Sequence, residues 1–238
     1  NPFFRARRKT NQGLNLGTKE VPRVISDLSK LGKIQHHHLA PFGYLYSQDQ
    51  DKWHISDQAV DLVYLGSGAM DFPLPGTLAA LQDPEQYEKK DRHYPYIPID
   101  QYDPASWGND QIVFLSVNAD DYGKATRNKI KNRADAVVVV SSQNNHAYAD
   151  LRRWFMYCLT KKIKNPVIVR RQYQNTTPEQ FLLYSATDLG GLQVDGFGDG
   201  IWLEGKKEYG FVNEIAFGIL LASRSRISKT DYISCPSC

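Results

Sequence analysis

An α/β fold with a parallel sheet is predicted by three features of the sequence. From about residue 60 onward, short apolar runs rich in β-branched residues alternate with helical patterns. The runs are apolar on both faces, as strands buried on both sides of a parallel sheet require. At least six of them follow residue 60, a number that fits a (β/α) barrel of irregular or degenerate TIM type better than an open doubly wound sheet.

The N-terminal third offers "FGYLYS" (42–47) as a further strand. The later runs are "VDLVYLG" (60–66), "QIVFLSV" (111–117), "AVVVVSS" (136–142), "PVIVRR" (166–171), "GLQVDG" (191–196) and "GIWLEG" (200–205). The stretch 67–110 is crowded with prolines and tyrosines and lacks periodicity, so a short helix and a loop-rich excursion are expected there.

Amphipathic helices fill the gaps. In "NHAYADLRRWFMYCLTKK", Leu151, Trp154, Phe155, Cys158 and Leu159 recur at helical spacing, which makes Cys158 a core residue and not a nucleophile. Thr177, Pro178 and Gln180 read as a capping box with proline in the first turn, and Gly190 with Gly191 is expected to stop that helix. "EYGFVNEIAFGILLAS" repeats the pattern through Val212, Ile215, Ala216, Ile219 and Leu220.

Composition narrows the class. Hydrophobic residues make up 41%, enough for a sizeable core, and no apolar run approaches the roughly 18 residues of a membrane span. The three cysteines, Cys158, Cys235 and Cys238, are too few for a disulfide framework, so a reducing, cytoplasmic setting is expected. Net charge is uneven: residues 47–121 carry −10 and residues 122–176 carry +10. The basic runs "RNKIKNRAD" and "LRRWFMYCLTKKIKN" fit solvated helix faces, and neither a nucleic-acid nor a membrane partner is predicted.

In a parallel α/β fold, functional groups collect beyond the carboxyl ends of the strands. Polar residues expected there are "NADD" (118–121), "SSQNNH" (141–146), Arg170, Arg171, Asp195 and Asp199. Arg170 and Arg171 are the candidate substrate ligands, gripping a phosphate with help from the helix N-terminus near Asn145; the alternative is that one of the pair is tied to a neighbouring aspartate. "GFGDG" (196–200) precedes a strand, which breaks a dinucleotide fingerprint and predicts a tight strand-to-strand or barrel-corner turn. The consecutive histidines 36–38 point in different directions on any regular element and are a poor metal site. No catalytic residue set stands out.

The chain closes on "DYISCPSC" (231–238), where Cys235 and Cys238 form a C-x-x-C pair, half of the roughly four ligands that zinc or an iron-sulfur cluster takes. It opens on Asn1 with no signal-peptide pattern, so the sequence reads as a piece of a longer protein. "TDLGGLQVDGFGDGIWLEG", a helix, then "TDYISCPSC" resembles the junction between the insert and the cluster domain in the long form of the 4-hydroxy-3-methylbut-2-enyl diphosphate synthase family. "FRARRKT" followed by "EVPRVI" is similar to the family's passage from the catalytic barrel into that insert.

The resemblance implies an oxidoreductase of isoprenoid biosynthesis whose 4Fe-4S cluster is held by three cysteines and a glutamate, with ferredoxin or flavodoxin as electron donor. It makes Cys235 and Cys238 two of those ligands. It further implies residues 1–230 as a barrel-like insert domain, with 1–33 a lead-in, and 231–238 as the first residues of a truncated iron-sulfur domain. The insert would be a structural spacer, and the fragment inactive without the substrate barrel and the remaining ligands. A phosphometabolite-binding barrel built on Arg170 and Arg171 is the alternative, and half of a zinc site completed by a partner chain ranks last.

Overall fold

Eight parallel strands close into a barrel in chain order: β1 (Arg23–Asp27), β2 (Leu62–Gly66), β3 (Ala79–Gln82), β4 (His93–Pro98), β5 (Phe114–Asn118), β6 (Val137–Ser141), β7 (Val167–Tyr173) and β8 (Gly200–Gly205). The first strand closes the ring by pairing with the last, Arg23 opposite Gly200 and Ile25 opposite Trp202, and with β2 through Ile25 and Leu62. These relationships come from a computed structural model that describes residues 6–229. No helix among them is long and apolar enough to cross a membrane.

Helices cover only half of the wall. α1 (Lys124–Asn132) joins β5 to β6, α2 (Tyr148–Lys161) joins β6 to β7, and α3 (Pro178–Ser185) with α4 (Gly191–Val194) joins β7 to β8; α5 (Tyr209–Ala222) follows β8. The first half carries short 3₁₀ turns at Ser29–Leu31 and His36–Phe42, and an antiparallel hairpin of Tyr44–Ser47 with Lys52–Ile55. The barrel is thus a TIM-type fold that is irregular on one side.

Side chains alternate across the wall. Ile25, Leu62, Leu81, Phe114, Val139, Ile168 and Trp202 fill the lumen, whereas Val24, Val63, Val138, Val140, Val169 and Leu203 pack outward. Both sets are buried, which is why these strands read as unbroken apolar runs. Each fully buried aliphatic or aromatic side chain contributes about 1.5–3 kcal/mol. Below the strands, Leu14 and Asn15 take left-handed backbone (φ 51 and 54) in a tight turn, and Leu16, fully buried, stoppers the lumen.

Several expectations change. The stretch 67–110 holds two barrel strands, β3 and β4, and no helix. The stretch 1–33 contains the stopper and β1. "FGYLYS" forms a hairpin outside the barrel, and "GLQVDG" is helical at Gly191–Val194. Thr177 and Gln180 do form the capping box, but Gly190 and Gly191 do not end the helix; a π turn at Ala186–Gly190 carries it on into α4. Gly191 is needed there because a Cβ would lie 2.7 Å from the Tyr148 ring. "GFGDG" accordingly links a helix to a strand.

Candidate functional site at the barrel mouth

Position on β7 separates the two arginines. Ile168 and Arg170 face the lumen, while Val169 and Arg171 face the helices. The pair therefore leaves the strand on opposite faces.

Arg171 is spent on the fold. Its Nε donates to Asp188 Oδ2 at 3.0 Å, Nη1 to the Ser142 carbonyl at 2.6 Å, and Nη2 to the Asn144 carbonyl at 2.8 Å. The π turn aims Asp188 inward, where it also accepts from the Tyr173 hydroxyl at 2.7 Å and from the backbone N–H of Ala147 at 3.0 Å and of Tyr148 at 3.2 Å. Asp188 thus takes the N–H of Ala147, the cap of α2, and of Tyr148, its first residue, two of the groups a phosphate at that helix start would use.

Arg170 lies across the mouth, its guanidinium 4.3 Å from the Trp202 ring centre. Nε donates to Glu204 at 2.5 Å and Nη1 to the Tyr96 hydroxyl at 2.9 Å. Tyr64, Tyr96 and Trp202 pack with ring centres 5.2 to 5.4 Å apart and close the lumen beneath it. Burial pushes the Glu204 carboxyl upward in pKa, and Arg170 opposes that shift. Burial likewise raises the Tyr64 phenol, reinforced by its hydrogen bond to Asp83 at 2.6 Å.

A cavity of about 630 Å³ opens beside this pair, lined by Arg170, Arg171, the 141–146 loop and the turn after β7. The lining carries carboxamides and hydroxyls but no carboxylate, so nothing in it can act as a general base apart from His146, whose ring packs edge-on against Tyr184. The charges of both arginines are matched within 3.0 Å, by Glu204 and by Asp188, which leaves little field for an anion.

The other expected strand-end groups lie elsewhere. Asp121 caps the start of α1 through Gly123 and Thr126. Asp195 follows α4 and pairs with Arg152 at 2.8 Å. Asp199 precedes β8 at the opposite pole, buried with Arg7 at 3.1 Å and Arg8 at 3.5 Å. Among the described residues no group of three or more His, Cys, Asp or Glu could hold a metal ion; His36 stacks between Tyr46 and Phe72. Cys158 is fully buried, and burial pushes its thiol up to about 12, as a core residue requires. Cys235 and Cys238 lie outside the described residues. Trp202 and Glu204 were not singled out from sequence, although the period of two along "GIWLEG" puts both on one face of the strand.

No profile of a protein family matches the chain. Curated relatives do. Over 237 residues the chain is 28% identical to 4-hydroxy-3-methylbut-2-en-1-yl diphosphate synthase (flavodoxin) of Bacteroides fragilis, a match covering 98% of this chain and 34% of that protein. It is 36% identical over 136 residues to the synthase (flavodoxin) of Protochlamydia amoebophila, covering 56% of this chain and 20% of the relative. With the chloroplastic synthase (ferredoxin) of Oryza sativa it shares 38% identity over 89 residues, 37% of this chain and 12% of the relative. The chain spans about a third, or less, of the length of these relatives. The resemblance read from the terminal motif therefore extends over nearly the whole chain, which is similar along its length to one region of these 4-hydroxy-3-methylbut-2-en-1-yl diphosphate synthases.

Proposed function

We propose that residues 1–230 are the inserted barrel of a three-domain 4-hydroxy-3-methylbut-2-enyl diphosphate synthase, and that they place the other domains without performing chemistry. The parent would be a cytoplasmic 4Fe-4S oxidoreductase that converts 2-C-methyl-D-erythritol 2,4-cyclodiphosphate to 4-hydroxy-3-methylbut-2-enyl diphosphate, with flavodoxin or ferredoxin as donor. Residues 231–238 would begin its iron-sulfur domain.

The observation that carries this reading is where the described chain comes in and goes out. Arg7 and Arg8 pair with Asp199, and the Asp199 carbonyl accepts from the Arg23 N–H at 3.0 Å. Arg23 also pairs with Asp61 at 3.0 Å, and Asp61 holds Arg226 at 2.5 Å. One polar network at the pole opposite the mouth therefore clamps both ends, an arrangement that suits insertion into a host. The neutralised arginines and the aromatic floor of the mouth agree with a supporting role.

The cluster would reach this chain through Cys235 and Cys238 alone, since Cys158 is buried and inert. Two thiolates cannot hold a cubane cluster without further ligands. Anaerobic reconstitution of the chain with iron and sulfide should give no stable cluster absorbance, and a stoichiometric cluster would defeat the proposal. In the parent enzyme, Cys235→Ser and Cys238→Ser should each abolish cluster and turnover, whereas Arg170→Gln should leave the substrate KM within about twofold.

A further inference from the structure

One wall of the barrel is far more basic than the chain as a whole. On α1, Lys124, Arg127 and Lys131 recur at helical spacing along one ridge. α2 lies alongside: Lys131 Nζ donates to the Lys161 carbonyl at 3.3 Å, and the Tyr122 and Tyr157 rings meet edge to face at 5.0 Å. Arg153, Lys161, Lys162 and Lys164 extend the basic surface.

These charges are largely unmatched. Among the described residues Lys124, Arg127, Lys131, Lys161, Lys162 and Lys164 form no salt bridge, and Arg153 has only Asp150 at 3.9 Å, a long pair whose arginine is exposed and which is therefore weak. Two exposed apolar side chains, Met156 at 44% and Leu159 at 47%, sit on α2 among them. Apolar contacts rimmed by cations are the make-up of a protein-docking surface. A purely solvated helix face has no need of Met156 and Leu159, and the two aromatic rings on the wall, Tyr122 and Tyr157, pack edge to face on one another instead of presenting parallel faces for nucleic-acid bases to stack on.

We infer that the α1–α2 wall docks an acidic redox-carrier protein, the electron donor of the parent enzyme; the inference rests on the reading under "Proposed function". Several uncompensated cations on one face would raise the rate of encounter with an acidic partner, an effect that salt screens. Met156 and Leu159 would supply the short-range contact.

The test uses the complete parent enzyme with purified flavodoxin as donor. The charge-reversal variant Lys131→Glu/Lys161→Glu/Lys162→Glu alters exposed positions, as does Met156→Ala. Each should raise the KM for flavodoxin, the first at least tenfold and the second about threefold, with kcat at saturating donor unchanged. Raising ionic strength from about 20 to 200 mM should raise the unmodified enzyme's KM severalfold and the reversed variant's hardly at all. Lys33→Glu, elsewhere on the surface, is the control and should leave KM unchanged.

An unchanged flavodoxin KM in the reversed variant would overturn the docking site while leaving the inserted-barrel reading intact. That reading fails separately if Cys235→Ser keeps full activity. A duplex DNA probe retained by the chain as strongly as flavodoxin would also overturn the inference, because the wall would then be a general polyanion surface.

Discussion

Arg171 and Asp188 form an ion pair at 3.0 Å with their side chains only 3% and 2% exposed, and Asp188 accepts there from three further donors. Removing one partner of such a pair leaves the other charge buried, at a cost of about 3–5 kcal/mol. Arg171→Met should lower stability by that amount in urea denaturation. Asp188→Ala should lose nearly as much, because Arg171 is left without its counter-charge and the start of α2 also loses its acceptor.

Arg170→Met gives a pH-dependent version of the same effect. Glu204 already has its carboxyl raised by burial and partly relieved by Arg170; without the arginine the folded-state value rises further above the unfolded one. Stability is then fully present below the unfolded carboxylate pKa and lost as pH rises through the folded value. The variant should be close to normal near pH 4 and weakest near pH 8, and adding Glu204→Gln should flatten the profile. Denaturation midpoints at several pH values would check both.

The buried thiol of Cys158 should be silent until the barrel opens. In a Cys235→Ser/Cys238→Ser background, where it is the one remaining thiol, a thiol-disulfide reagent at pH 8 should react only as fast as the chain unfolds. Fast native-state labelling would contradict the packing described for α2.

Gly196 (φ +78) lies where a Cβ would come 2.4 Å from the Ala6 carbonyl, and its own carbonyl accepts from the Arg8 N–H at 2.9 Å. Gly196→Ala should therefore cost about 1–3 kcal/mol and increase proteolysis of the incoming segment around residues 6–8. A stability equal to that of the unmodified chain would show that this clamp is dispensable.

How much was legible in the sequence follows from how each strand is buried. β5 to β8 are covered by helices and announce themselves as apolar runs. β4 hides because Pro95 and Pro98 argue against an interior strand. Alternate residues of a parallel strand turn their N–H groups to opposite neighbours, and Ile99 donates to Ser116 of the β5 side. The missing N–H of Pro95 would face β5 before its first pair at Tyr96 and Phe114, and that of Pro98 would face β3 beyond its last pair at Gln82 and Pro95. Neither proline breaks a bond. At the mouth, the arginines were visible but their partners were not: Glu204 lies 34 residues from Arg170, and Asp188 comes into range only through a π turn that no local pattern signals.

The clamp around Arg23 bears on geometry more than on strength. A rod-like linker sets distance because its ends lie far apart, whereas this barrel receives and returns the described chain at one pole. As a spacer it would contribute almost nothing to reach. It reverses direction, as a rigid elbow does, and in a longer protein it would fix the angle at which the following segment turns back toward the preceding one.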